Sequence, residues 1–140
     1  MLQWKRNTSA FTLIELLIVV IIVAVLAGVG VPILSANVLR AKTTEADAGL
    51  GTVRTGLRAF FAENQTYLGA TLALAGVGAT DLTGRYFEND DFSLPTLQAA
   101  AYCIAVTGDA AGAAPFGSQV VGVNRSMNQD GTIFNSNNCA

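Results

Sequence analysis

Histidine is absent from this chain of 140 residues, and other chemically active residues are few, with 2 cysteines and 13% charged side chains. Without histidine the chain lacks the most common general base. No serine stands in the Gly-x-Ser-x-Gly sequence of a nucleophile elbow, and the glycines lack the strand-then-helix setting of a phosphate loop. Two cysteines without histidine also argue against a zinc site. The composition therefore argues against an enzyme and predicts no cofactor.

Positive charge is scarce as well, with 8 lysines and arginines against 10 aspartates and glutamates. Lys5 and Arg6 lie among the first ten residues, and the rest form no basic patch that would indicate nucleic-acid binding. Lys5 and Arg6 stand shortly before a long apolar run, and positive charge in that position favours the cytoplasmic side of a membrane. The part of the chain that follows the run is then expected on the outer side.

The apolar run is the most informative feature of the chain. From Leu16 to Leu34 no side chain is charged, and a length of about 19 residues suffices to cross a bilayer as a helix. Glu15 stands at the start of this run. An ionisable group at membrane depth costs about 2.5 to 3.5 kcal/mol on insertion scales, so we expect it to have a function and a partner. A cut between Ala10 and Phe11 would create an amine that could meet the Glu15 carboxylate of a neighbouring copy.

The residues around Glu15 also form a motif. Phe11-Thr12-Leu13-Ile14-Glu15 follows a short basic leader and the small residue Ala10, and the apolar helix is interrupted by Pro32. This arrangement resembles the processing site and N-terminal helix of type IV prepilins and of the related pseudopilins of type II secretion. That family usually has glycine before the cut, and here another small residue, Ala10, takes its place.

The resemblance implies how the chain is processed and assembled. Residues 1–10 would be a leader that a prepilin peptidase removes between Ala10 and Phe11, after which Phe11 is N-methylated. Glu15 would act in filament assembly by pairing with the terminal amine of an adjoining copy, and Pro32 would mark the place where the helix is partly unwound in similar filaments. The implied partners are further copies of the chain, the peptidase, an inner-membrane platform and an assembly ATPase. The precursor is expected in the inner membrane and the filament on the cell surface.

Two other functions stay open on the sequence alone. A pseudopilin of a type II secretion or DNA-uptake system would share the motif region, although a disulfide near the C-terminus favours a pilus subunit. A membrane-anchored binding module would use the apolar run only as a tether. Such a module would remain a monomer and would be indifferent to the charge of Glu15.

Beyond Pro32 the apolar pattern becomes that of an amphipathic helix. Apolar residues recur at steps of three and four, at Ala46, Leu50, Val53, Leu57, Phe60 and Phe61. The pattern predicts one long helix over residues 11–64, of which residues 11–34 belong to the membrane or the filament core. Pro32 predicts a kink in this helix, because it removes a backbone donor and crowds the preceding turn.

Glycines punctuate the same predicted helix. Gly28 and Gly30 lower helix propensity just before the proline. Gly49, Gly51 and Gly56 have two interpretations: they weaken the second half of the helix, or they allow another element to approach it closely. The sequence does not choose between them.

The remaining residues, 65–140, are predicted to form a small β head. Strands are predicted at Tyr102–Thr107, Gln119–Val123 and Thr132–Phe134, with a fourth segment near Tyr86–Phe92. Asp130-Gly131 is a strong hairpin-turn signal, and the Ala- and Gly-rich residues 69–79 are typical of a flexible loop. The order of the elements predicts an α+β fold, in which the amphipathic half of the helix packs on an antiparallel sheet.

The head also holds the two cysteines and several carboxylates. In an exported domain Cys103 and Cys139 are expected to form a disulfide, with two buried free thiols as the alternative. Oxygen ligands that would suit calcium occur in two clusters, Glu88 with Asp90 and Asp91, and Asn128 with Asp130. Neither cluster has the spacing of a defined calcium loop, so no metal site is predicted.

Overall fold

A computed structural model describes residues 11–108 and 122–139 of the chain. Helix α1 (Leu13–Asn64) comes first, and a single turn of 3-10 helix (Asn89–Asp91) precedes the sheet. The described strands are β1 (Phe92–Leu97), β2 (Tyr102–Thr107), β3 (Asn124–Asn128) and β4 (Ile133–Phe134). They pair antiparallel in the order β1-β2-β3-β4. The predicted α+β fold with a long N-terminal helix is confirmed.

The chain divides into two compact units at the boundary between Val38 and Leu39, inside α1. In the first unit every large apolar side chain from Phe11 to Leu34 is at least half exposed, the lowest value being 51% at Ile18. The helix continues through Pro32, and the predicted kink there stays a prediction. By length and composition α1 is able to cross a membrane.

In the second unit the amphipathic half of α1 packs on the sheet. The fully buried residues of this half are Ala46, Leu50, Val53 and Leu57. They share one core with Tyr102, Ile104 and Val106 of β2 and with Met127 of β3. Phe60 and Phe61 are partly buried against the same core, so the apolar face predicted from the sequence is confirmed. The helix ends at Asn64, as predicted.

Strand β2 is buried on both faces. Because successive side chains of a strand alternate, Ile104 faces α1 whereas Cys103 and Ala105 face the other side of the sheet. On that side Cys103 is joined to Cys139 by the predicted disulfide. The fully buried Ser126 of β3 donates its hydroxyl hydrogen bond to the carbonyl oxygen of Asn138, at 2.8 Å. The C-terminal segment thus covers the second face of the sheet.

The predicted strand near Tyr86–Phe92 is wrong, because β1 begins only at Phe92. Glu45 of α1 explains the difference. Its Oε1 atom accepts hydrogen bonds from the backbone N–H groups of Tyr86, at 2.7 Å, and Phe87, at 2.9 Å. A side chain therefore satisfies backbone donors that a strand would direct to its neighbour, and the segment folds as a turn against the helix.

The predicted strand Gln119–Val123 is also wrong at its two described residues, Gly122 and Val123, which are not in a strand. Residues up to Val121 lie outside the described residues, and Gly122 is a turn residue with φ +86°. The strand is Asn124–Asn128 instead, a polar sequence with low strand propensity. Its pairing with the buried β2 and its side-chain contacts, described below, determine it rather than local preference.

The other two strand predictions are confirmed. β2 has the predicted bounds, and β4 lies within the predicted Thr132–Phe134. Asp130-Gly131 forms the turn between β3 and β4, where Gly131 has φ +90° and its N–H donates to the carbonyl of Asn128 at 3.0 Å. Only glycine adopts such a backbone conformation at little cost.

The glycines of the second half of α1 differ in their surroundings. A Cβ atom at position 56 would overlap the backbone carbonyl of Ala75, and one at position 49 would overlap the ring of Phe92. Nothing lies within 4 Å of the Cβ position at Gly51. Close approach therefore explains Gly49 and Gly56, where the sequence left two interpretations open. Ala75, which approaches Gly56, belongs to the predicted loop 69–79. This loop packs on the helix through Ala75 and Val77.

This difference predicts opposite effects of the same substitution. We expect Gly56→Ala to lower the free energy of unfolding by roughly 1 to 3 kcal/mol, because a backbone carbonyl cannot rotate out of the way. Gly51→Ala is expected to raise it by about 1 kcal/mol through helix propensity. Denaturant unfolding of the detergent-solubilised chain, followed by circular dichroism, measures both. If both substitutions change the free energy of unfolding in the same direction, close approach of Ala75 does not explain Gly56.

Candidate assembly site

The start of α1 carries a polar cluster formed by Thr12 and Glu15. Oε2 of Glu15 accepts hydrogen bonds from the backbone N–H and from the hydroxyl of Thr12, both at 2.9 Å. The N–H of Glu15 donates in return to Oγ1 of Thr12, at 3.3 Å. These reciprocal bonds form a capping box, which satisfies donors that the first turn of a helix leaves unpaired. The negative charge also lies at the favourable end of the helix dipole.

The capping box fixes the side chain of Glu15 in one orientation. Both Thr12 bonds go to Oε2, and across the described residues Oε1 accepts no hydrogen bond. One carboxylate oxygen is thus held by its own chain, and the other is available to a donor from outside. The signal for this arrangement in the sequence is the spacing Thr-x-x-Glu, which lies inside the family motif Phe11–Glu15.

The remainder of the first unit offers apolar contact only. Phe11 is 84% exposed, and the helix from Leu16 to Leu34 carries no charged side chain. Apolar surface of this extent is unfavourable in water, so lipid or other copies of the chain must cover it. Glu15 is the single ionisable side chain within that surface.

The predicted site residues fall at separate places. Phe11 directly precedes the capping box, whereas Ala10 lies outside the described residues. Pro32 lies 17 residues beyond Glu15 in α1, roughly 25 Å along the helix at 1.5 Å per residue. Glu15 and Pro32 therefore do not form one local site. Cys103 and Cys139 belong to the head, where they are bonded to each other.

In the head an ion pair joins α1 to the sheet. The Arg125 guanidinium on β3 donates two hydrogen bonds to Asp47 of α1, from Nε at 2.8 Å and from NH2 at 2.7 Å. The Asp47 carboxylate thereby raises the pKa of Arg125 above its ordinary value. Arg125 also donates to the side chain of Asn135, close to the C-terminus. No local sequence pattern indicates this link, because its members are 78 residues apart.

Two of the side chains considered for calcium, Asp91 and Asn128, accept hydrogen bonds from nearby backbone N–H groups. Asp91 accepts a hydrogen bond from the N–H of Glu88 at 2.8 Å, and Asn128 accepts two from the turn that follows it. Within residues 11–108 and 122–139, no three Asp, Glu or Cys side chains are grouped so as to hold a metal ion.

A capped carboxylate at the start of an exposed apolar helix, followed by a disulfide-closed α+β head, defines a protein of the pilin type. Residues 5–31 match a family model described as the prokaryotic N-terminal methylation motif. The chain is 35% identical over 99 residues to the type IV wide pilus major component PilA4 of Thermus thermophilus. That alignment covers 71% of this chain and 72% of the relative. The chain therefore belongs to the type IV pilin family.

Proposed function

We propose that this chain is a structural subunit of a type IV pilus and that it self-assembles through residues 11–34. The observation that carries the proposal is the exposed, uncharged helix that begins at a capped Glu15. Burial of its apolar side chains between copies would supply the main driving force of assembly. Its role is then structural rather than catalytic.

The proposal includes the route by which the subunit reaches the filament. Residues 1–10 are a leader on the cytoplasmic side, and a prepilin peptidase cuts between Ala10 and Phe11. Phe11 is then N-methylated, and the chain is held in the inner membrane by its helix until a platform and an ATPase add it to the filament. Residues 65–140 form the head that faces the outside. The family membership and the length of the apolar helix support this order of events.

Processing gives the first test of this route. We expect the intact mass of the purified filament protein to lack the first ten residues and to include one added methyl group. The small side chain of Ala10 is expected to matter, so Ala10→Gly should be cut normally and Ala10→Leu should accumulate as precursor. A mature protein that keeps Met1, or that starts near Ala36, would refute the proposed cleavage site.

The location of the filament separates a pilus subunit from a pseudopilin. An antibody against the head, used in immunogold electron microscopy of whole cells, is expected to label long surface fibres. Labelling confined to the cell envelope would favour a pseudopilin of a secretion or DNA-uptake system.

A further inference from the structure

Two arginines of α1 lie one helical turn apart at one end of the sheet. Arg54 donates a hydrogen bond from Nη2 to the carbonyl oxygen of Gln129, in the turn that follows β3, at 3.3 Å. Arg58 is exposed. Burial raises the pKa of the Tyr102 hydroxyl, and both arginines oppose this rise, so both guanidinium groups lie near that hydroxyl. We call Arg54 and Arg58 the arginine pair.

The arginine pair has no carboxylate partner in the described part of the chain. Like charges four residues apart on a helix repel each other, and residues 65–80 and 92–107, which pack against this part of α1, contain no charged side chain. The nearby turn carries Asp130, which is exposed and forms no ion pair with either arginine. Glu63 follows Arg58 by five residues and therefore points about 140° around the helix from it. The pair is suited to a carboxylate from another molecule.

A carboxylate without a partner lies at the opposite end of the sheet. Asp90 is exposed, and within residues 11–108 and 122–139 its side chain forms no hydrogen bond or ion pair. It precedes β1 by two residues, whereas the arginine pair lies at the other end of the strands, where Leu97 pairs with Tyr102. Because β1 has 6 residues, the two ends are roughly 20 Å apart.

The residues beside Asp90 have contacts of their own. The Asp91 carboxylate accepts the N–H of Glu88 at 2.8 Å, and the Arg85 guanidinium carbon lies 5.7 Å from the centre of the Tyr86 ring. Asp91 is buried and Glu88 is half-buried. Asp90 is therefore the most accessible carboxylate of this turn.

Opposite charges at the two ends of one head fit a contact between copies. In a helical filament of identical subunits each contact joins two different surfaces of the subunit, in a head-to-tail arrangement that stays open. Basic side chains at one end of the head and an acidic side chain at the other meet that requirement. Complementary charges also fix the register of such a contact.

We propose that Arg58, supported by Arg54, binds the Asp90 carboxylate of an adjoining copy in the filament. Arg58 supplies the accessible guanidinium group, and Arg54 adds to the positive charge from the preceding turn of the helix. The inference rests on the proposed function, because it requires a filament of this chain. It adds a polar contact between heads to the apolar assembly through residues 11–34.

Charge reversal tests the pairing in cells that express one variant at a time. Immunoblots compare the subunit in sheared filaments with the subunit in the membrane fraction. We expect Arg58→Glu and Asp90→Arg each to lower the filament share roughly tenfold or more, because each brings like charges together. Combining Arg58→Glu with Asp90→Arg restores opposite charges in exchanged positions. This double variant should return to within about twofold of the unmodified chain.

Arg40 supplies the matched control for net charge. It is an exposed cation of the same helix, 18 residues before Arg58. Combining Arg40→Glu with Asp90→Arg gives the same net charge as the first double variant but leaves Arg58 opposite an arginine, so filaments should not be restored. Equal restoration by both double variants would show an effect of net charge and would overturn the proposal.

A measurement on the unmodified chain does not depend on how the variants fold. Phenylglyoxal modifies accessible guanidinium groups, and peptide mass spectrometry locates the product. We expect Arg58 to react several-fold more slowly in isolated filaments than in detergent-solubilised subunits. Equal reactivity of Arg58 in both preparations would refute the contact.

The outcomes separate this proposal from the proposed function. Absence of surface filaments from cells that express the unmodified chain would contradict the proposed function itself. Normal filaments from both single variants would refute the pairing alone. Failure of Arg58→Glu with Asp90→Arg to restore filaments would also refute it.

Discussion

Replacement of Glu15 by leucine is expected to abolish filaments while the chain still inserts into the membrane. In an assembled filament, the positively charged terminal amine of Phe11 from an adjoining copy would donate a hydrogen bond to Oε1 of Glu15. Without the carboxylate, that amine would lie in an apolar core with no compensating charge. Removal of one partner of a buried ion pair typically costs about 3 to 5 kcal/mol, which is enough to exclude the variant subunit from the filament.

The measurement is electron microscopy of sheared surface material from cells that express only the variant, together with an immunoblot of the membrane fraction. The immunoblot establishes that the variant is present and inserted. Abundant normal fibres would contradict the pairing hypothesis. They would favour the alternative in which the apolar run only anchors the head, because an anchor gains nothing from a carboxylate at that depth.

The capping box provides a sharper control. Glu15→Gln keeps a side-chain oxygen that accepts the two Thr12 bonds, but it removes the charge. If Glu15 acts through its charge, both Glu15→Gln and Glu15→Leu should fail to assemble. If its role is only to cap the helix, Glu15→Gln should assemble normally, because the lost bonds of the leucine variant are restored.

The parts of the fold that local patterns encode were predictable. The period of Ala46, Leu50, Val53 and Leu57 identifies the buried face of α1, because each of these side chains faces the core at helical spacing. The β-branched and aromatic segment at Tyr102–Thr107 likewise predicts β2. The capping box at Thr12 was equally predictable from its spacing.

The parts that depend on distant partners were not predictable. Asn124–Asn128 becomes a strand through contacts such as that of Arg125 with Asp47, and no property of its own sequence predicts this. The 86–87 turn depends in the same way on Glu45, which precedes it by about 40 residues. In both cases a partner far away in the sequence, strand β2 for Asn124–Asn128 and Glu45 for the 86–87 turn, holds the backbone of a segment that local propensity describes incorrectly.

Removal of the disulfide is expected to have the largest effect on the stability of the head. Cys103 and Cys139 are separated by 36 residues, and closing a loop of that length corresponds to roughly 4 kcal/mol in the chain-entropy model. The double variant Cys103→Ala with Cys139→Ala is therefore expected to unfold at clearly lower denaturant concentration. Both cysteines are replaced so that no free thiol can form a new bond between chains.

Two of the attachments of the C-terminal segment can be separated by mutation. The disulfide fixes Cys139, whereas the Ser126 hydroxyl holds the carbonyl of Asn138. Ser126→Ala removes only the second attachment and is expected to cost about 0.5 to 1.5 kcal/mol, the net value of a typical hydrogen bond. Denaturant unfolding of both variants, with and without reductant, gives the comparison.

The double alanine variant should lose several times as much stability as Ser126→Ala. Reductant should lower the stability of Ser126→Ala and of the unmodified chain, but it should not change that of the double alanine variant. Peptide mapping without reductant should recover the two cysteine peptides as one cross-linked product. Two freely alkylated thiols would contradict the bond itself. Equal stability of the double alanine variant and the unmodified chain would show that the helix and sheet hold the C-terminal segment without it.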